Sequence, residues 1–210
     1  MKINYTDMAT HIKNISLQSN IMVVVADNVD RQKILKMCPN TFGTLKCKIN
    51  TRNGISVTNI SRAIRRLVES KKNILVTSKQ FNYIDYKTLI SIGDYDVIFT
   101  DFGKWLYPSE PISQEDKETL LEFYCEIVSE EDVTYIKWKP ECIGYSGRFD
   151  IYKFMCLRSN KCWFDSKDSS IKCEIDPSRI LYYFKNYLLA PQIRSDELRH
   201  SFSCASNLVL

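Results

Sequence analysis

Glycine and proline are scarce, with six of each among 210 residues, too few for a linker-rich array or a low-complexity chain. No GxxxxGK[ST] motif occurs, so the phosphate loop of a nucleotide-hydrolysing domain is missing. No apolar run approaches the roughly 20 residues that a membrane span needs. The opening "MKINYTDMATHIKN" lacks the apolar core of a signal peptide. Eight cysteines, at 38, 47, 125, 142, 156, 162, 173 and 204, form no CxxC pair. Cys156, Cys162 and Cys173 with His200 or Cys204 could hold zinc, but their spacing matches no standard zinc pattern. The better reading is reduced thiols buried in apolar runs such as "YKFMCLR" and "LKCKI". A metal-dependent nuclease is poorly supported, because no acid stands one residue before Lys137 or Lys139.

What is present is ordinary globular composition, 44% hydrophobic and 26% charged. The length suits one α/β domain with a sizeable core. A net charge of +4 permits a nucleic-acid partner without demanding one. The expectation is one soluble, cytoplasmic domain over residues 1–210 with no membrane contact and a polar tail from Ser195.

Continuous apolar residues from Ile21 to Asp27 predict a strand covered on both faces. The segment before it, "YTDMATHIKNI", spaces Met8, Ile12 and Ile15 as a helix does, and "DRQKILKM" after it predicts a short helix. "TLKCKI" (44–49) predicts a second strand. "TNISRAIRRLVESKK" carries Ile60, Ile64, Leu67 and Val68 on one helical face. "NILVTS" (73–78) and "YDVIFTD" (95–101) predict strands three and four, with "FNYIDYKTLISI" as a helix between them. "SQEDKETLLEFYCEIVSEED" predicts a helix whose acidic start suits its dipole. "VTYIKWK" (133–139) predicts a fifth strand, "RFDIYKFMCLR" (148–158) and "SSIKCEI" (169–175) two more. "DPSRILYYFKNYLLA" predicts a closing helix with Pro177 in its first turn. Strands alternating with helices predict an α/β fold: a mostly parallel sheet, helices on both faces and an antiparallel edge.

Three residues could carry chemistry on such a sheet. Asp101 follows the fourth strand, Lys137 lies in the fifth and Asp150 begins the sixth. Ligands of open α/β sheets bind outside the carboxyl ends of the strands, and a lysine desolvated beside two carboxylates can act as a general base. The plainer alternatives are that Asp101 caps a turn, that Lys137 points into solvent and that Asp150 lies on a surface strand. Cations beside aromatics suit phosphate contact and base stacking on RNA: Lys104, Trp105, Tyr107 and Tyr145, with Lys71, Lys72 and Lys79 flanking the third strand. A solvated rim with half-buried aromatics is the alternative there, as it is for the basic face of "SRAIRRLVESKK".

This order of elements resembles the S-adenosylmethionine-dependent RNA ribose 2′-O-methyltransferases of the RrmJ type, above all the form found in replicases of coronaviruses and other nidoviruses. "DVIFTDF" is similar to the family's phrase around the aspartate of its Lys–Asp–Lys–Glu tetrad, "TYIKWKP" to that around its second lysine, and "FDIYKFMC" to that around its glutamate. The resemblance implies a Rossmann-like methyltransferase fold and a capped RNA substrate, with Asp101, Lys137 and Asp150 as the catalytic set. It implies S-adenosyl-L-methionine held by Ala26, Asp27, Asn28, Asn50 and Phe102, and viral replicase proteins as possible partners. "INYTDMATHIKN" resembles the family's opening helix, but Asn4 stands where its first lysine falls, with Lys2 the nearest substitute. The family's glycine-rich turn is also absent: "ADNVDRQ" follows the first strand and no glycine comes before Gly43. "CKINTRNG" offers Asn50 where an acid would hold the ribose, and "VTSKQ" lacks the acid expected near the adenine. A domain that kept the fold without catalysis, binding RNA or protein, is the alternative.

Overall fold

The computed structural model describes residues 5–45, 57–130, 133–145 and 147–189. The chain begins with α1 (Tyr5–Ser16), β1 (Ile21–Val25), α2 (Asn28–Met37), α3 (Val57–Glu69), β2 (Ile74–Thr77), α4 (Ser78–Asn82), α5 (Tyr86–Ser91), β3 (Asp96–Phe99) and α6 (Phe102–Leu106). It continues through β4 (Ser109–Pro111), α7 (Gln114–Thr119), a π-helical turn (Leu120–Tyr124), β5 (Cys125–Glu130) and β6 (Val133–Trp138). A 3₁₀ turn (Pro140–Cys142), α8 (Asp150–Arg158), β7 (Ser159–Asp165), β8 (Ser170–Ile175), α9 (Ser178–Leu181) and β9 (Asn186–Leu189) complete it.

All of β1 and β2 is buried, as expected of apolar strands covered on both faces. Together with β3 and β9 they make a parallel sheet in the order β2-β1-β3-β9. Alternation sends side chains to two cores. Ile21, Val23, Val25, Leu75 and Ile98 meet Ala9 and Ile12 of α1 and Ile34 of α2. Met22, Val24, Val76, Val97 and Phe99 meet Ile60 and Ile64 of α3, Leu89 of α5 and Trp105 of α6. Each such buried side chain contributes on the order of 1.5–3 kcal/mol. The remaining strands pair antiparallel, as the sheet β4-β8-β7 and the hairpin β5-β6. The architecture is α/β: a four-stranded parallel sheet flanked by helices, with antiparallel strands beside it.

Five expectations are corrected. Residues 133–138 do not extend the parallel sheet; they pair antiparallel with Cys125–Glu130, which had read as the end of a helix. The helix from Gln114 closes in the π turn at Tyr124, and the β-branched pair Ile127-Val128 continues as strand. Residues 150–158 form a helix, because Tyr152, Met155 and Arg158 recur at three-residue spacing and are all buried. The closing helix stops after one turn, and "NYLL" forms β9, the sheet's edge strand. The antiparallel strands form separate sheets rather than an edge of the parallel one. Most of "TLKCKI" lies outside the described residues; Thr44 and Leu45 are in no strand.

Candidate functional site

β1 leads to β2 on one side, and the chain then returns to place β3 on the other side of β1. The strand order therefore reverses between β1 and β3, the position where open α/β sheets leave a crevice beyond their carboxyl ends. Asp27 and Asp101 stand at those two ends. Asp27 caps α2, accepting hydrogen bonds from the Val29 and Asp30 amides at 2.9 and 3.1 Å. Asp101 caps α6, accepting from the Lys104 amide at 3.0 Å. Lys104 Nζ reaches across to Asp27 Oδ2 at 3.0 Å, so one lysine ties the two capping carboxylates together. Its hydrogen bond, followed by that from the Asp30 amide, holds the Asp27 carboxyl below the usual carboxylate range. Both partners are about half exposed, so the pair adds only about 0.2–1 kcal/mol.

The adjoining end of β2 is closed by a capping box. Thr77 Oγ1 accepts from the Gln80 amide, and Gln80 Oε1 accepts from the Thr77 amide. Ser78 Oγ donates to the Val25 carbonyl at 3.2 Å, fastening β2 to β1 at this edge. Lys79 pairs at 2.7 Å with Glu110, a buried carboxylate that also accepts from the Tyr83 hydroxyl. Burial, then the Glu110 charge, pushes the Tyr83 hydroxyl far up. Three buried polar atoms near this edge make no hydrogen bond: Asn82 Oδ1, Thr100 Oγ1 and Trp105 Nε1.

The expected catalytic residues engage three different partners. Asp101 alone stands at the parallel sheet's edge. Lys137 lies on the hairpin with its side chain 52% exposed, 3.9 Å from Glu130 and over the Tyr135 ring at 5.2 Å. Asp150 is the first residue of α8 and pairs at 3.3 Å with Lys153. No ion pair joins Asp101, Lys137 and Asp150 to one another, because β6 belongs to a different sheet from β3 and Asp150 opens a helix. α8 nevertheless packs on β6, so Asp150 and Lys137 lie on touching elements.

Of the expected cofactor residues, Ala26 and Asp27 sit at the crevice and Asn28 opens α2 as an exposed residue. Phe102 is fully buried and packs edge-on against Phe99; Asn50 lies outside the described residues. Among the RNA-directed set, Lys104 is exposed and bound to Asp27, and Tyr107 is 58% exposed. Trp105 is 0% exposed and enclosed by Phe81, Phe99 and Phe102. Base stacking needs a free ring face, so the expected stacking surface is not at Trp105. Tyr145 is half-buried among Tyr124, Trp138 and Phe149.

Two features escaped the sequence reading: the buried Glu110 with Lys79, and Lys153, whose Nζ donates to the Tyr145 carbonyl. The signal for Lys153 is a lone cation in the apolar run "IYKFMC", part of a segment expected to be a strand. Among the described residues, no three or more His, Cys, Asp or Glu are grouped to hold a metal ion, and no helix is long and apolar enough to cross a membrane. No protein-family model matches the chain, and neither a curated protein nor a solved structure matches it significantly.

Proposed function

We propose that the chain is a Rossmann-like, methyltransferase-like domain that binds a nucleoside ligand across the carboxyl ends of β1 and β3, without Lys137 as a catalytic base. The observation that carries the reading is the reversal of strand order between β1 and β3, with Asp27 and Asp101 at the reversal. Two carboxylates disfavour a phosphate there, and Asp27 already occupies the α2 N-terminus that would otherwise attract an anion. They suit a ligand with hydroxyls and positive charge. S-adenosyl-L-methionine fits that description, with a ribose diol to donate to carboxylates and a sulfonium and an ammonium to be attracted by them. RNA is the polymer expected beside it, through Lys104 and Tyr107, so the domain acts as a binding subunit of an RNA-processing assembly.

Calorimetric titration and thermal unfolding with S-adenosylmethionine test this. Ligand at a hundredfold over its dissociation constant adds about 2.7 kcal/mol, a shift of roughly 5–10 °C for a chain of this size. Asp27→Asn keeps a good helix cap while removing the charge, and is expected to weaken binding about tenfold. No binding at millimolar ligand, or equal binding by Asp27→Asn, overturns the proposal.

The second reading is methyl transfer to a ribose 2′-hydroxyl with Lys137 as base, and the packing of α8 on β6 favours it. Methyl transfer to capped RNA that disappears in Lys137→Ala would select it over the first.

A further inference from the structure

Outside the β1–β3 crevice, α8 packs against β6, β7 and β8, and four cysteines lie on α8 and the strands β5, β7 and β8 beside it. Cys156 of α8 lies with its Sγ 3.7 Å from the Sγ of Cys162 in β7, within hydrogen-bond reach of one thiol to the other. Cys125, which opens β5, interacts with Cys156 on its other side. Cys173 is the cross-strand partner of Cys162 and interacts with it. The sulfurs therefore form a string, Cys125–Cys156–Cys162–Cys173, rather than a cluster around one point, and a string does not make a tetrahedral metal centre. Three of the four are buried, and Cys156 alone is part-exposed.

We infer that Cys156 and Cys162 are an oxidation site of this chain, closing to an intrachain disulfide when the folded protein meets hydrogen peroxide. Sulfurs 3.7 Å apart need a modest side-chain rotation to reach the S–S bond length of about 2.05 Å. Of the four residues Cys156 is the one with part of its surface open to solvent. Its interactions with Cys125, then Cys162, hold its thiol down and push those of the two neighbours up. That is the thiolate character that selects one cysteine for oxidation.

The chemistry balances in two steps. The Cys156 thiolate attacks peroxide, gains one oxygen as a sulfenic acid and releases hydroxide. The Cys162 sulfur then attacks the Cys156 sulfur, the S–S bond forms, and the oxygen leaves as water with the proton of the Cys162 thiol. Two thiols lose two electrons and two protons in all, and peroxide becomes two waters. The bond would clamp the last turn of α8 to β7, holding Arg158 between them.

Trypsin separates the two sulfurs, because Lys153, Arg158, Lys161 and Lys167 place Cys156 in Phe154–Arg158 and Cys162 in Cys162–Lys167. The folded full chain is treated with stoichiometric hydrogen peroxide, its free thiols are blocked with iodoacetamide, and the digest is read by mass spectrometry. The expected product is those two peptides joined, two hydrogens lighter than their sum, and separated again by dithiothreitol. In Cys162→Ser, Cys156 should instead stop as a sulfenic acid that dimedone traps. A first product joining Cys125 to Cys156 or Cys162 to Cys173 overturns the assignment. So does a wild-type chain in which Cys156 and Cys162 are both fully alkylated, or in which Cys156 goes to sulfinic acid unlinked. The wild-type digest decides by itself if the variant does not fold.

Discussion

In the parallel sheet the bodies of β1, β2 and β3 are apolar, and the carboxylates of Asp27 and Asp101 stand beyond the strand ends, part-exposed. On the antiparallel side α8 buries Lys153 and Arg158 along its length. Arg158 is 1% exposed and spends its guanidinium on neutral partners, the carbonyls of Asn82 at 2.7 Å and of Ile84, between the Tyr86 and Phe154 rings. Burial of that guanidinium brings its pKa down to about 10. The contrast separates two uses of charge. Charges at strand ends keep a face toward solvent and can meet a ligand. Charges inside α8 are committed to holding α8 against the α4–α5 connection and the Tyr145 loop.

That contrast can be broken at several points. The largest effect is expected in the sheet's own core: Phe99→Ala removes a ring packed against Phe81, Phe102 and Trp105, and should cost about 3–5 kcal/mol in urea unfolding. Arg158→Met keeps the packing between the two rings but leaves two buried carbonyls unpaired, so a loss of roughly 2–4 kcal/mol is expected. A stability equal to wild type would show that the buried arginine is not what holds the α4–α5 connection.

A pH effect follows next. Burial, then the Asp116 charge, pushes the Tyr152 hydroxyl up to about 12, and its proton is donated to the Pro111 carbonyl at 2.7 Å. The folded chain holds this proton more tightly than the unfolded one. The stability is whole below about pH 10, the ordinary tyrosine value, and is lost as pH rises toward 12, by roughly 1.4 kcal/mol per unit. Urea midpoints between pH 9 and 11.5 should fall at least that steeply, since Tyr83 acts in the same direction, and Tyr152→Phe should make the fall shallower. The smallest effect is expected at Lys137. Its contacts with Glu130 and the Tyr135 ring are on the surface, so Lys137→Ala should change stability by about 0.5 kcal/mol or less. A loss of several kcal/mol would show Lys137 to be a buried structural charge instead.

The sequence revealed the parallel half because its strands are unbroken apolar runs, each followed by a capping Asp or Thr at the strand end. Ile21–Val25, Ile74–Thr77 and Asp96–Phe99 were readable in this way, as was the placing of Asp101 beyond its strand. The antiparallel half was misread where two periods compete. "FDIYKFMCLR" alternates well enough for a strand, but its buried residues follow a three-residue spacing, and the register that buries Arg158 depends on the distant carbonyls of Asn82 and Ile84. "NYLL" is too short to reveal its state, and only the open edge of β3 makes it a strand. Lys137 was expected at the crevice because the sheet was assumed to continue through it. Its partner strand, Cys125–Glu130, was hidden in what read as one long helix. Trp105 beside Lys104 suggested an exposed stacking surface, but α6 turns its aromatic side inward onto Phe99.

The most direct measurement is hydrogen exchange with and without saturating S-adenosylmethionine, read by mass spectrometry over the whole chain. The account predicts slowed exchange in peptides covering Ala26–Asp30 and Thr100–Lys104 and unchanged exchange from Val133 to Arg158. Protection centred on the hairpin and α8, or no protection anywhere, would contradict it.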